Sequence, residues 1–168
     1  TGTWDYMKLD IISDITCIPE PDGAFDAILC TEVLEHLPSP ILAFHEFSRL
    51  LRAGGVLILT APFASLTHFA PYYFYTGFSR FFYETHLPNY GFRITDFSEN
   101  GNYFEYLAQE IRRVPLVSDA YAHRRPNKLE KLAIEIVLKM LSKFSGCDSQ
   151  SSQLAHFGEH LLAEKIRR

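Results

Sequence analysis

The chain has 168 residues, 47% hydrophobic and 14% aromatic, with a formal net charge of -4. That length favours a single domain with a sizeable core, and acids and bases mixed along the chain, with no dominant basic face, argue against nucleic acid as the partner. Three cysteines without metal-type spacing (Cys17, Cys30, Cys147) suit free thiols in a cytoplasmic compartment, and no stretch approaches the roughly 18 apolar residues of a transmembrane segment.

Residues 5 to 12 (DYMKLDII) are expected to form a strand, with Ser13-Asp14-Ile15 at its carboxyl end. On the residues alone, Asp14 caps the following turn. Pro19 to Gly23 is a turn-rich connector. Phe25 to Cys30 (FDAILC) and Val56 to Leu59 (VLIL) are nearly continuously apolar, which suits strands buried on both faces of a parallel sheet. Between them Pro38 and Pro40 open a helix, and Gly54 is a natural left-handed cap for its end. Strand, crossover helix and strand make a right-handed βαβ unit. Its ligand edge lies at the carboxyl ends of the strands, at Cys30 to Glu32 and Thr60 to Phe63.

Residues 63 to 92 are unusual, because twelve of these thirty are Phe or Tyr and Tyr72 to Tyr75 are four aromatics in a row. Four consecutive aromatics cannot all face one core. Acceptor pocket, extra core packing and interfacial surface are the three readings. His68 lies in this segment just past a strand end, where it is either a general base or a hydrogen-bonded core histidine. Ser79 to His86 reads as a helix and Gly91 to Phe97 as a strand. A turn at Glu99 to Asn102 opens a helix over about residues 103 to 113. Leu129, Leu132, Ile136, Met140, Leu141 and Phe144 mark a helix over 127 to 144 whose apolar stripe is either core or a dimer face. His156-Phe157-Gly158-Glu159-His160 matches a zinc motif that must sit on a helix. Gly158 to Lys165 fits better as a final strand, and no metal site is expected.

Four blocks in order carry a resemblance over residues 10 to 63: Asp14-Ile15-Thr16-Cys17-Ile18-Pro19, Phe25-Asp26-Ala27-Ile28-Leu29, Val33-Leu34-Glu35-His36-Leu37 and Arg49-Leu50-Leu51-Arg52-Ala53-Gly54-Gly55. The chain resembles the class I S-adenosylmethionine-dependent methyltransferases of the type 11 subgroup. The resemblance implies an α/β fold, a Rossmann-like and mostly parallel methyltransferase sheet whose final strand is antiparallel. The family's glycine-rich loop and ribose-binding acid are not in the chain. It therefore reads as the C-terminal two-thirds of one domain, truncated at the N-terminus with the first two strands missing and with a helical insertion over 103 to 145.

What the resemblance implies for function follows position by position. The cofactor is S-adenosyl-L-methionine, with Asp14 and Ile15 at the adenine and Cys30, Thr31 and Glu32 at its methionine part. Cys30 is expected to be a small buried residue, and His36 to pack and hydrogen-bond near the site. Tyr72 and Tyr73 face a small-molecule or glycan-like acceptor, and His68 is the candidate catalytic base. An alternative is a non-catalytic remnant acting as a binding or oligomerisation module. With the fourth strand left as an apolar edge, the chain alone is expected to self-associate or rearrange its sheet, and not to bind the cofactor.

Overall fold

The computed structural model describes residues 9 to 166. Among the described residues the sheet has four strands, β1 (Phe25–Thr31), β2 (Leu51–Pro62), β3 (Phe92–Asn100) and β4 (Gly158–Lys165), in the spatial order β1-β2-β4-β3. Helix α1 (Pro40–Leu50) crosses over from β1 to its parallel neighbour β2, whereas β4 is antiparallel to both β2 and β3. The final strand thus runs against the other three, as expected. Because it is inserted between β2 and β3, two of the three pairings are antiparallel and the sheet is not mostly parallel by pairing. Part of the strand expected over 5 to 12 lies outside the described residues. Residues 9 to 12 form no strand, and Asp14 and Cys17 make an isolated bridge instead.

The apolar runs alternate inward and outward, which corrects the expectation of strands buried on both faces. Cys30, Leu57, Leu59, Ala61, Leu161 and Ala163 form a buried core with Ala43, Phe44 and Phe47 of α1. Phe78, Tyr83 and Leu87, from α2 (Arg80–His86) and its flanks, join the same cluster. Each large side chain fully buried here contributes about 1.5–3 kcal/mol. Leu29 (69% exposed) and Ile58 (40% exposed) point to the opposite face, which is open. The reason is that α1 and α2 serve the same core, while α3 (Tyr103–Ala122) and α4 (Lys128–Ser145) pack chiefly on each other.

Gly54 is left-handed, with φ +77°, but does not cap α1. The helix ends at Leu50, Leu51 is already extended, and Gly54 lies within β2. There Phe25 pairs with Leu51 and Ala27 with Val56, so the surplus residues of β2 need a bulge, and glycine turns it without strain. Arg49 stitches the connector before β1 onto α1. Its guanidinium donates to the carbonyls of Ile18 and Glu20 and to the carboxylates of Asp22 and Glu46.

Both long helices begin with reciprocal capping boxes, Asn102 with Glu105 and Asn127 with Glu130. α3 continues through Pro115 to Ala122, beyond the end expected near residue 113. On α4 the sequence stripe is mostly not core: Leu129, Leu132, Ile136, Met140 and Phe144 remain exposed while Leu141 is buried. Leu138 and Leu141 line the cleft shared with Phe104 and Ala108 of α3. No helix of the described residues is long and apolar enough to cross a membrane.

Candidate functional site

The carboxyl ends of β1 and β2 meet at Glu32 and Thr60. Glu32 is left-handed (φ +52°), its N–H donates to the Thr60 carbonyl at 3.0 Å, and its Oε1 accepts from Thr60 Oγ1 at 2.8 Å. A non-glycine residue in this region is unusual and turns the chain sharply off the strand. The turn leads into a short 3-10 helix, Leu34–His36, that buries Leu34 and Glu35 and presents His36.

Glu35 is 1% exposed, and its Oε2 has no hydrogen-bond partner. Burial holds its pKa above the ordinary carboxylate value, and the nearby Glu32 charge adds to the effect. Its Oε1 lies 3.7 Å from His36 Nε2. His36 Nδ1 donates to the Tyr72 carbonyl at 2.5 Å, and His68 Nδ1 donates to the Leu66 carbonyl at 2.8 Å. A carbonyl can only accept, so each imidazole carries its proton on Nδ1 and keeps the Nε2 lone pair when neutral. The two rings meet edge to face, with centroids 4.8 Å apart. Phe69 and Tyr73 wall the pair, at 5.5 Å and 5.0 Å from the His68 ring.

The aromatic segment is folded onto this turn by its backbone. The N–H groups of Phe74 and Tyr75 both donate to the Glu35 carbonyl, at 2.9 and 3.2 Å. Tyr73 donates its hydroxyl to the Ser65 carbonyl at 2.6 Å. The neck of the loop closes where Ser65 N donates to Thr76 O and Phe78 N to Pro62 O. A Cβ on Gly77 would stand 2.1 Å from the Phe63 carbonyl oxygen, so only glycine permits this closure.

Of the residues singled out from the sequence, the structure brings together His68, Tyr73 and the backbone of Tyr72. The Tyr72 ring itself is 67% exposed. Cys30 is buried, and burial pushes its thiol up to about 12, with Glu35 and Glu32 adding to it, so it remains a protonated packing residue. Thr31 and Glu32 are exposed at the end of β1. Asp14 Oδ1 accepts from Thr16 N at 2.8 Å and Thr16 Oγ1 at 2.6 Å, a turn-capping geometry that lowers its pKa, while Ile15 packs against the core. The sequence patterns do not mark Glu35, and they place His36 beside the site rather than in it. Their signal was an acid–histidine pair just past a strand's carboxyl end. The zinc motif is not assembled: His160 is exposed on β4, whereas His156 and Glu159 are buried together. Among the described residues the group able to hold a metal ion is Glu35, His36 and His68.

Residues 6 to 59 match the family model described as a methyltransferase domain, the stretch that carries the four sequence blocks and bears out their resemblance. Over 56 residues the chain is 46% identical to the ubiquinone biosynthesis O-methyltransferase of Xanthomonas oryzae pv. oryzae, covering 33% of this chain and 22% of that relative. The match thus spans about a fifth of the length of the curated relatives. Among solved structures, a Galdieria sulphuraria protein described as a sarcosine dimethylglycine methyltransferase aligns with TM-score 0.53 at 14% identity, over 91% of this chain and 57% of that one. The cyclase SpnF aligns with TM-score 0.51 at 18% identity, over 91% and 54%. These likenesses establish the Rossmann-like methyltransferase fold, and SpnF marks the limit of arguing chemistry from fold.

Proposed function

We propose that the protein transfers a methyl group from S-adenosyl-L-methionine to an oxygen of a small-molecule or glycan-like acceptor. One observation carries the reading: the methyltransferase-domain match ends at the strand edge where the structure sets Glu35, His36 and His68 beneath an aromatic loop. The similarity to an O-methyltransferase of ubiquinone biosynthesis supports oxygen as the atom methylated.

The residues present suit this cofactor in charge. Glu32, at the segment assigned to the methionine part, is an exposed carboxylate, as a ligand bearing sulfonium and ammonium groups requires. Asp14 and the Ile15 N–H would hold the adenine, and Cys30 to Glu32 the methionine part. When bound, the cofactor supplies an electrophilic methyl group. Tyr73 and Phe69 exclude water from the transfer path, and Tyr72 and Tyr73 form the mouth through which the acceptor enters. His68 acts on the acceptor oxygen through its Nε2 lone pair, which becomes available once Leu66 holds the Nδ1 proton. Alignment of acceptor and methyl carbon is the chain's main contribution.

The test is transfer of tritium from methyl-labelled cofactor by the full-length protein into acceptors fractionated by class. Label is expected in hydroxyl-bearing small molecules or glycans. Failure of the full-length protein to bind the cofactor at millimolar concentration would sink the reading.

A further inference from the structure

We propose that Glu35, His36 and His68 form a site for one divalent metal ion, and that this ion holds the acceptor oxygen during the transfer. The second half rests on the methyl-transfer reading above; the site itself does not.

The geometry is that of a ligand set. One oxygen of Glu35 and one nitrogen from each histidine all lie within 4.8 Å of one another, close enough to surround a single ion. Two imidazoles and a carboxylate are the donors that suit divalent Mn, Fe or Zn while leaving coordination positions open. Both imidazoles are already held as ligating histidines are held. Their Nδ1 protons are engaged by the backbone carbonyls of Tyr72 and Leu66, which fixes the tautomer with the lone pair on Nε2.

Glu35 is the second, independent observation. It is buried to 1% exposure with Oε2 unpartnered; the carboxylate receives a hydrogen bond from its own backbone N–H, and Oε1 stands 3.7 Å from His36 Nε2, beyond hydrogen-bond distance. A buried carboxylate with one oxygen unpartnered is short of the donors that a buried anion requires. A cation between it and the two imidazoles supplies them. Glu32, held by Thr60 at the next turn, brings a further negative charge to the same edge. The Phe69 and Tyr73 rings shield the histidine pair from solvent on the loop side.

The chemistry balances without an oxidant or reductant. An acceptor hydroxyl bound to the ion becomes more acidic, its O–H bond breaks, and the proton passes to water. The oxygen lone pair then forms the bond to the methyl carbon as the carbon–sulfur bond breaks, and that pair stays on sulfur, turning sulfonium into thioether. In this arrangement His68 gives its lone pair to the ion, the ion makes the hydroxyl acidic, and water accepts the proton in place of His68.

The experiment is titration of the untagged protein with Mn(II) alone, followed by loss of the free-ion electron paramagnetic resonance signal, and with Zn(II) by calorimetry, without cofactor or acceptor. One ion per chain is expected, together with a rise in melting temperature. Glu35→Gln and His68→Gln should each weaken binding at least about tenfold, while His45→Gln, outside the cluster, leaves it unchanged. Circular dichroism of each variant checks folding, and His68→Gln, at the less buried position, keeps the test valid should Glu35→Gln fail to fold. Absence of stoichiometric binding, or binding by both cluster variants as tight as by the wild type, overturns the site. Tritium transfer that survives exhaustive chelation overturns the ion's role in catalysis while upholding methyl transfer. Metal bound with no transfer to any acceptor upholds the site and overturns the methyl-transfer reading.

Discussion

His156 and Glu159 face each other across 3.5 Å, Nε2 to Oε1, with neither side chain more than 3% exposed. His156 gives its Nδ1 proton to the Ser152 carbonyl at 2.8 Å and lies against the Phe63 ring, centroids 4.3 Å apart. Neither carboxylate oxygen of Glu159 has a hydrogen-bond partner. Burial, reinforced by the Glu99 charge and opposed by Arg80, pushes Glu159 from its ordinary 4.5 up to about 8.

That shift predicts a sign for the pH dependence of stability. The folded chain keeps the Glu159 proton up to about 8, whereas the unfolded chain releases it near 4.5. The folded state therefore binds more protons in that window, and stability should fall as pH rises through it. Glu159→Gln mimics the protonated form and should flatten this part of the profile. Urea midpoints measured across the window check it. A wild-type profile that matches the variant would show that Glu159 is ionised in the folded chain.

Tyr72 and Tyr73, equivalent in the sequence, should behave differently. Tyr73→Phe removes the hydroxyl bond to Ser65, which should cost about 0.5–1.5 kcal/mol and lower turnover more than cofactor affinity. Tyr72→Ala should change stability by no more than about 0.5 kcal/mol, because His36 uses its backbone carbonyl rather than its ring. Denaturant melts and turnover of the two variants side by side decide this. Equal destabilisation would mean that the Tyr72 ring packs.

Gly77→Ala should destabilise the chain by at least about 2 kcal/mol and disorder the aromatic loop. The added Cβ meets three backbone atoms, Phe63 O at 2.1 Å, Phe63 C at 2.3 Å and Pro62 O at 2.5 Å, none of them able to rotate away. Hydrogen exchange at Ser65 and Phe78, whose N–H bonds close the neck, is the readout. Unchanged protection there would refute the close approach.

The sheet's one-sided burial predicts a contrast between two apolar truncations. Phe44→Ala, on α1 and fully buried, should cost about 3–5 kcal/mol. Leu29→Ala, on the open face, should cost less than about 1 kcal/mol, in line with its exposure. Thermal denaturation of both variants tests it. Comparable losses would place a covering layer over Leu29.

Local sequence signals mark β1 to β4 and α1 to α4 in order, though not the ends of each or the absence of a strand at 9 to 12. Apolar runs at Phe25 to Cys30 and Val56 to Leu59, the prolines at the start of α1, and Gly158 at the start of β4 are local signals, and hydrophobic periodicity is a local property. Motif spacing added the family likeness, and position after a strand end singled out His68 and the tyrosines. Which faces are covered is set by long-range packing. The runs at Leu29 and Ile58 are as apolar as buried strands, and the α4 stripe is as regular as a core helix. Whether a neighbour covers either depends on packing at long range, which periodicity does not encode. The cluster of Glu35, His36 and His68 was decided in the same way. Glu35 and His36 follow one strand and His68 follows another. Their meeting depends on the Gly77 neck and on the backbone bonds from Phe74 and Tyr75 to Glu35, contacts made by groups that every residue carries and no sequence pattern marks.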